Sequence, residues 1–207
     1  MNDPESIHPW STIWRDPRGT IRRIVEVNPR HSLIVLASLG GLGNALSYAA
    51  NFGLGSMMEV GEVIALCLLV GPASGFISVY LWGWLLSYTS RFLGGMAVKE
   101  ELRAAFAWSW APVVYLLPLW GVKYIFFRSE LFLMEKPFVE SVAFLSGLQG
   151  LFGFIDFIIA LFSLFILFNA LSEVNGFSIW RSIGAFAIVM LALSLPALLL
   201  MQAVAPM

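Results

Sequence analysis

Apolar positions in this chain gather in five long continuous runs, not in the alternation of a strand or the one-sided stripe of a soluble helix. The runs cover 32–52, 60–89, 105–127, 145–171 and 182–204. A helix rises about 1.5 Å per residue, so about 20 apolar residues cross the hydrocarbon of a bilayer. Each run is therefore predicted to be a membrane-spanning helix. Barrel strands would be shorter and would alternate in polarity. The expected fold is all-α: a polytopic membrane protein whose five-transmembrane-helix bundle over 32–207 follows a short cytoplasmic amphipathic helix in a polar head, 1–31. Pro72 falls in the second run, Pro112 and Pro118 in the third and Pro196 in the fifth; a tilt or kink is expected at Pro72 and a kink at Pro112.

Within the head, Asp16 followed by Pro17 reads as a helix start, an N-cap oxygen ahead of a proline at the first helical position. Ile21, Ile24 and Val25 then share one face, Arg18, Arg22 and Arg23 lie toward the other, and Pro29 stops the helix. Upstream, Pro9 opens a short turn with Trp10, Ile13 and Trp14 on one side. The segment reads as an interfacial helix, aromatics at headgroup depth and arginines toward anionic lipid, or more sharply as a docking surface for a cytoplasmic protein. It is too short and apolar to suit nucleic acid. It also lacks the short apolar core and small-residue cleavage site of a signal peptide, so the first run is expected to be a retained anchor.

Composition supports the membrane reading. Hydrophobic residues make up 59% of the chain and charged ones 12%, with a mean hydropathy of +0.83, which leaves too little polar surface to cover a soluble domain. Of the 12 Lys and Arg residues, nine fall on one side of the predicted spans: Arg15, Arg18, Arg22, Arg23, Arg30, Arg91, Lys99, Arg103 and Arg181. Lys123, Arg128 and Lys136 fall on the other. The asymmetry predicts a cytoplasmic N-terminus and an external C-terminus. Cys67 is the single cysteine and reads as an apolar filler.

Polar residues inside the runs are the candidate chemistry, because an ionisable group at the bilayer centre costs at least ~2.5 kcal/mol on insertion scales. Asp156 sits near the middle of the fourth run. Gln149 lies seven positions earlier on the same helical face, and Asn44 is at comparable depth in the first run. The three are candidates for a mid-membrane polar site for a cation or proton; the structural reading is a hydrogen-bonded contact between helices. Lys123, near the external end of the third run, is expected to snorkel outward. Small residues at four-residue spacing, Ala37, Gly41, Ala45 and Ala49, with Gly71 and Gly75, predict close helix packing within one chain or across a homo-oligomer seam. No metal-ligand spacing, phosphate loop or catalytic triad is present in the sequence, so neither enzymatic activity nor a cofactor is expected.

Three motifs carry a family resemblance. They are His8-Pro9-Trp10-x-x-Ile13-Trp14-x-x-Pro17-Arg18-x-Thr20-Ile21-Arg22; Phe92-Leu93-Gly94-Gly95 with Glu101-Leu102-x-x-Ala105 and Trp108-Ser109-x-x-Pro112; and Ala170-Leu171-Ser172-Glu173-x-x-Gly176-Phe177-Ser178-x-Trp180-Arg181. Together they resemble the Yip family of Ypt/Rab-interacting membrane proteins, in its prokaryotic type with a short head. The resemblance implies five spans, a cytoplasmic N-terminus and, for a prokaryotic member, a bacterial inner (plasma) membrane. Eukaryotic members look like Rab-associated trafficking factors with longer heads, so Rab binding is not carried over. The motifs cluster on one side and make Trp10, Trp14, Arg18, Arg22, Glu101, Glu173, Trp180 and Arg181 the candidate cytoplasmic binding face. The expected function is a non-enzymatic membrane organiser or adaptor that binds proteins or lipids there. The alternative is a small ion- or proton-coupled transporter or channel using Asp156.

Overall fold

A computed structural model describes residues 8–204, with the backbone alone for 196–204. The predicted head and bundle boundaries extend beyond the described residues at both ends, and the Pro196 side chain lies outside them. Helices α1 (Pro9–Thr12) and α2 (Pro17–Val27) form the head. The bundle follows as α3 (Leu33–Asn51), α4 (Val60–Phe92), α5 (Lys99–Trp108), α6 (Ala111–Tyr115), α7 (Leu117–Phe127), α8 (Pro137–Ser141), α9 (Ala143–Asn175) and α10 (Ile179–Val204). Among the described residues the fold is all-helical, without strands. Four stretches are long and apolar enough to cross a membrane: α3, α4, the 99–132 segment and α9; a shorter apolar helix, α10, accompanies them.

The outward faces confirm the solvent for which this chain is built. Leu68, Leu69 and Ile77 of α4 and Phe154, Phe157 and Leu161 of α9 point away from the bundle. In water such a continuous apolar surface would aggregate; in lipid it costs nothing. What holds the helices together is therefore close packing. The small-residue stripe of α3 meets Gly71 and Gly75 of α4 so closely that a methyl group on Gly41 would overlap the Gly71 carbonyl and the Gly75 Cα. The predicted stripe is used inside the chain.

The third run departs most from its expectation. A single span over 105–127 was expected; instead the helical segment begins at Lys99 and breaks into α5, α6 and α7. Proline is the physical reason. Pro112 and Pro118 have no N–H to donate to Trp108 and Val114 four residues earlier, and their rings crowd those carbonyls. Pro72, by contrast, sits inside an unbroken α4. The fourth run is longer than expected, because α9 continues to Asn175. It ends at Gly176, whose φ of +65° gives a left-handed cap, with the Phe177 N–H donating to the Ser172 carbonyl at 3.3 Å.

One end of the molecule, the head end, collects α1, α2, α5 and the ends of α4, α9 and α10. A buried core lies beneath it, built on Ile13, Ile21, Leu36, Leu86, Leu102, Trp108 and Leu171. At the far end, the 54–56 and 128–132 turns and α8 close over a second core of Leu46, Val63, Phe127, Phe132, Val139 and Phe152.

Candidate functional site

At the head end, the expected N-cap is present. The Asp16 carboxylate accepts from the Gly19 N–H at 2.9 Å, and Pro17 opens α2. The apolar face of α2 does not meet lipid as expected, however. Ile21 and Ile24 are buried and pack on the bundle, as does Ile13 at the end of α1. Trp10 lies 5.2 Å from Trp108 and 5.9 Å from Tyr115 between ring centroids, and the Tyr115 hydroxyl donates to the Trp10 carbonyl at 3.1 Å. Trp14 stacks on Phe162 at 5.2 Å. An amphipathic face fits a protein groove as well as a bilayer interface, and here α5, α6 and α9 supply the groove.

Two of the predicted head cations bind the chain itself. Arg18 donates from Nε to the Asn169 side-chain oxygen at 3.0 Å and from its terminal nitrogen to the Ser172 hydroxyl at 3.2 Å. Arg22 donates to Glu173 at 2.6 Å. Its hydrogen bond to Glu173, reinforced by the carboxylate charge, holds the guanidinium above its ordinary pKa. Asn169, Ser172 and Glu173 occupy one face of the last turns of α9, the part that lies beyond the predicted span or at its edge. Glu101 has a local use: its carboxylate accepts from the Val98 N–H at 2.9 Å and caps α5. Trp180 and Arg181 are exposed at the start of α10. The eight residues of the predicted face thus divide: Trp10, Trp14, Arg18, Arg22 and Glu173 form an internal latch, Glu101 is a cap, and Trp180 and Arg181 are open.

The second candidate region lies between α3, α6, α7 and α9, where a cavity of about 480 Å³ is lined by Asn44, Gln149 and Asp156 together. Lys123 belongs with them. It does not snorkel outward as expected: its Nζ donates to both Asp156 oxygens, at 2.9 and 2.7 Å, and lies 4.6 Å from the Trp120 ring centroid. The lysine side chain is only 7% exposed, whereas that of Asp156 is 55% exposed and faces the cavity. A carboxylate has about four lone-pair positions, so the lysine leaves acceptor capacity directed into the open space. Lys123 lies four residues before the end of α7, about 6 Å along the axis, so the pair sits closer to the far end than to the head end.

Lys136, between the far-end turn and α8, lines the same cavity. Burial, and then the like charge of Lys123, push its ammonium below the ordinary lysine value against Glu130 and Glu140. It forms no ion pair among the described residues. Glu130 is committed elsewhere, accepting from the Phe138 and Val139 N–H groups at 3.0 and 2.9 Å. The charge at the cleft therefore consists of a compensated Lys123–Asp156 pair and an unpaired Lys136. A bare cation would have to compete with the Lys123 ammonium for the carboxylate. Among the described residues no group of three or more His, Cys, Asp and Glu gathers that could hold a metal ion.

Long helices with lipid-compatible outer faces and polar groups turned inward define a helical membrane-embedded protein. Its family follows from comparison with known proteins. The family model of the Yip1 domain matches residues 10–201, nearly the whole chain, and the chain belongs to that family. No curated protein and no solved structure matches the chain.

Proposed function

We propose that this Yip1-domain protein is a non-enzymatic membrane organiser of the prokaryotic type, acting through its head end at the cytoplasmic face of a bacterial inner membrane. The five-span topology rests on the five apolar runs, and the orientation on the asymmetry of Lys and Arg, since loops rich in them stay on the cytoplasmic side. The carrying observation is the set of arginines left over once the latch has formed. Arg15, Arg23, Arg30, Arg91 and Arg181 are exposed and have no carboxylate partner among the described residues. Exposed Phe92, Met96 and Trp180 stand beside them on the same end. Anionic lipid headgroups match this mixture: arginines take phosphate, and the apolar side chains enter the interface.

The latch residues are poor probes of this reading, because Trp14→Ala or Arg18→Ala would disturb the docking of the head itself. The open arginines are the better test. At about 1 kcal/mol per basic residue near an anionic surface, the Arg23→Ser, Arg91→Ser, Arg181→Ser triple variant should lose about 100-fold in affinity for phosphatidylglycerol relative to phosphatidylcholine. Native mass spectrometry of retained lipid measures this. An unchanged ratio would remove anionic lipid as the ligand and turn the search to a cytoplasmic protein.

A second reading, a small ion- or proton-coupled transporter, is favoured by the Lys123–Asp156 pair in its cavity. It predicts flux in liposomes that Asp156→Asn abolishes; flux equal in both proteins would end that role for Asp156.

A further inference from the structure

The cleft has features that neither the head-end reading nor simple helix packing uses. The Asp156 carboxylate, half exposed, accepts hydrogen bonds from no described residue except Lys123. Lys136 brings an unpaired ammonium to the same cavity. The Asn44, Asn51 and Gln149 amides line it as well, between apolar walls that include Trp120 and Phe152. Its volume of about 480 Å³ falls in the size range of small-molecule sites.

Charge restricts the occupant. A lone cation is disfavoured because Lys123 already neutralises Asp156. A lone anion would face the open edge of the carboxylate. The complement of an open carboxylate edge and an unpaired ammonium is a molecule carrying both signs, with N–H donors on its positive end. We propose that the cleft between α3, α7 and α9 binds a zwitterion, with a primary ammonium on Asp156 and an anionic oxyacid group toward Lys136.

The surrounding walls favour a lipid as the carrier of this group. A Cβ placed on Gly121 of α7, or on Gly147, Gly150 or Gly153 of α9, would meet nothing within 4 Å. Of these, Gly153 lines the cavity, so the cleft has open space beside it at α9, a helix whose exposed residues include Phe154 and Phe157. A phospholipid with an ethanolamine headgroup supplies the ammonium and phosphate together and keeps its acyl chains in the hydrocarbon. Soluble ethanolamine phosphate has the same two groups without the chains.

The test uses the full-length protein, with native mass spectrometry of lipid retained from equimolar phosphatidylethanolamine and phosphatidylcholine. Choline has no N–H donor, and a hydrogen bond to a charged group contributes about 1.5–3 kcal/mol, so the wild type should prefer ethanolamine lipid by about tenfold or more. Asp156→Asn should reduce that preference at least threefold, since it removes the charge from the acceptor. Lys136→Gln, outside the spans and less exposed to folding defects, should weaken both lipids alike and keep the preference. Displacement by millimolar ethanolamine phosphate, but not choline phosphate, would support the same chemistry with a soluble source. Equal retention of the two lipids with no displacement overturns the proposal, and so does a preference that Asp156→Asn leaves intact. The arginine triple variant should keep the ethanolamine preference, so failure here is distinguishable from failure of the head-end reading.

Discussion

Two ion pairs of nearly equal geometry sit at opposite depths in this molecule. Arg22 and Glu173 meet at 2.6 Å on the head end, where the arginine side chain is 61% exposed. Lys123 and Asp156 meet at 2.7 Å beside a cavity inside the bundle, where the lysine is nearly covered. Water screens the first pair and hydrates each partner when they part, so pairs of that kind contribute about 0–1 kcal/mol. At the second, separation would leave an ammonium among Trp120, Phe152 and aliphatic side chains. The energetic weight of a salt bridge is thus set by what would surround each charge without its partner. The head end places its binding energy elsewhere, in the aromatic and isoleucine contacts beneath its polar latch.

The largest expected effect comes from breaking the cleft pair on one side only. Lys123→Met leaves the Asp156 charge uncompensated at the bundle, where removing one partner of a buried pair costs about 3–5 kcal/mol; the open side of Asp156 places the expected loss toward the lower end. Thermal unfolding in detergent should show a drop of several degrees. The double variant Lys123→Met, Asp156→Leu should recover most of the loss, because no charge is then stranded. A double variant as unstable as the single would mean that packing around the lysine stem, not charge, dominates.

A similar magnitude is expected at the head, but confined to it. Trp14→Ala removes the stack on Phe162 and the edge contact with Tyr115 at 5.3 Å. Truncating a packed aromatic costs about 3–5 kcal/mol. Since α1 and α2 dock as a unit on the outside of the bundle, the loss should appear as opening of the head. Hydrogen exchange over residues 9–27 should accelerate while global unfolding moves little. A large shift in global unfolding with no change in head exchange would show that the head and bundle fold as one unit.

These two sites also mark how much could be read from the chain itself. The helical membrane class followed from the apolar runs, and Asp156, Gln149 and Asn44 stood out because a polar group in hydrocarbon needs a partner. That partner was not legible. Lys123 sits near the end of a run, where lysines commonly reach for the interface, and its actual direction depends on the rotation of α7 after the breaks at Pro112 and Pro118. A linear pattern gives the positions of those prolines but not the geometry they leave. The head shows the complementary gap. Its N-cap and apolar face were readable, but whether that face meets lipid or protein depends on Trp108, Tyr115 and Phe162, brought to one end by three different helices. Asn169 and Ser172 carried a weak signal, spaced three apart next to Glu173 at the end of an apolar helix.

Weaker effects sharpen the contrast. Arg22→Ala should cost no more than about 1 kcal/mol, and raising salt from low to near-molar concentration should erase the difference from wild type, because the Debye length shrinks to about 3 Å at 1 M. Head exchange measured at the two salt concentrations checks it. A loss that persists at high salt would mean that the Arg22 stem, rather than its charge, holds α2 in place.

The smallest effect is one of pH, and its sign separates the cleft from the head. Lys136 has a lowered folded-state pKa, so the folded protein releases that proton earlier than the unfolded chain as pH rises. Between the lowered value and the ordinary lysine value of 10.5 the unfolded chain holds more protons, and stability contributed by this group therefore increases with pH across that window. Lys123 opposes the ammonium, while Glu130 and Glu140 favour it, so removing either carboxylate should move the window further down. Lys136→Met should abolish the rise and leave the profile of the head unchanged. Thermal unfolding of wild type and variant between pH 8 and the ordinary lysine value measures this; parallel profiles would mean that the Lys136 ammonium is as well solvated folded as unfolded, and that this cation lining the cleft is not confined by its surroundings.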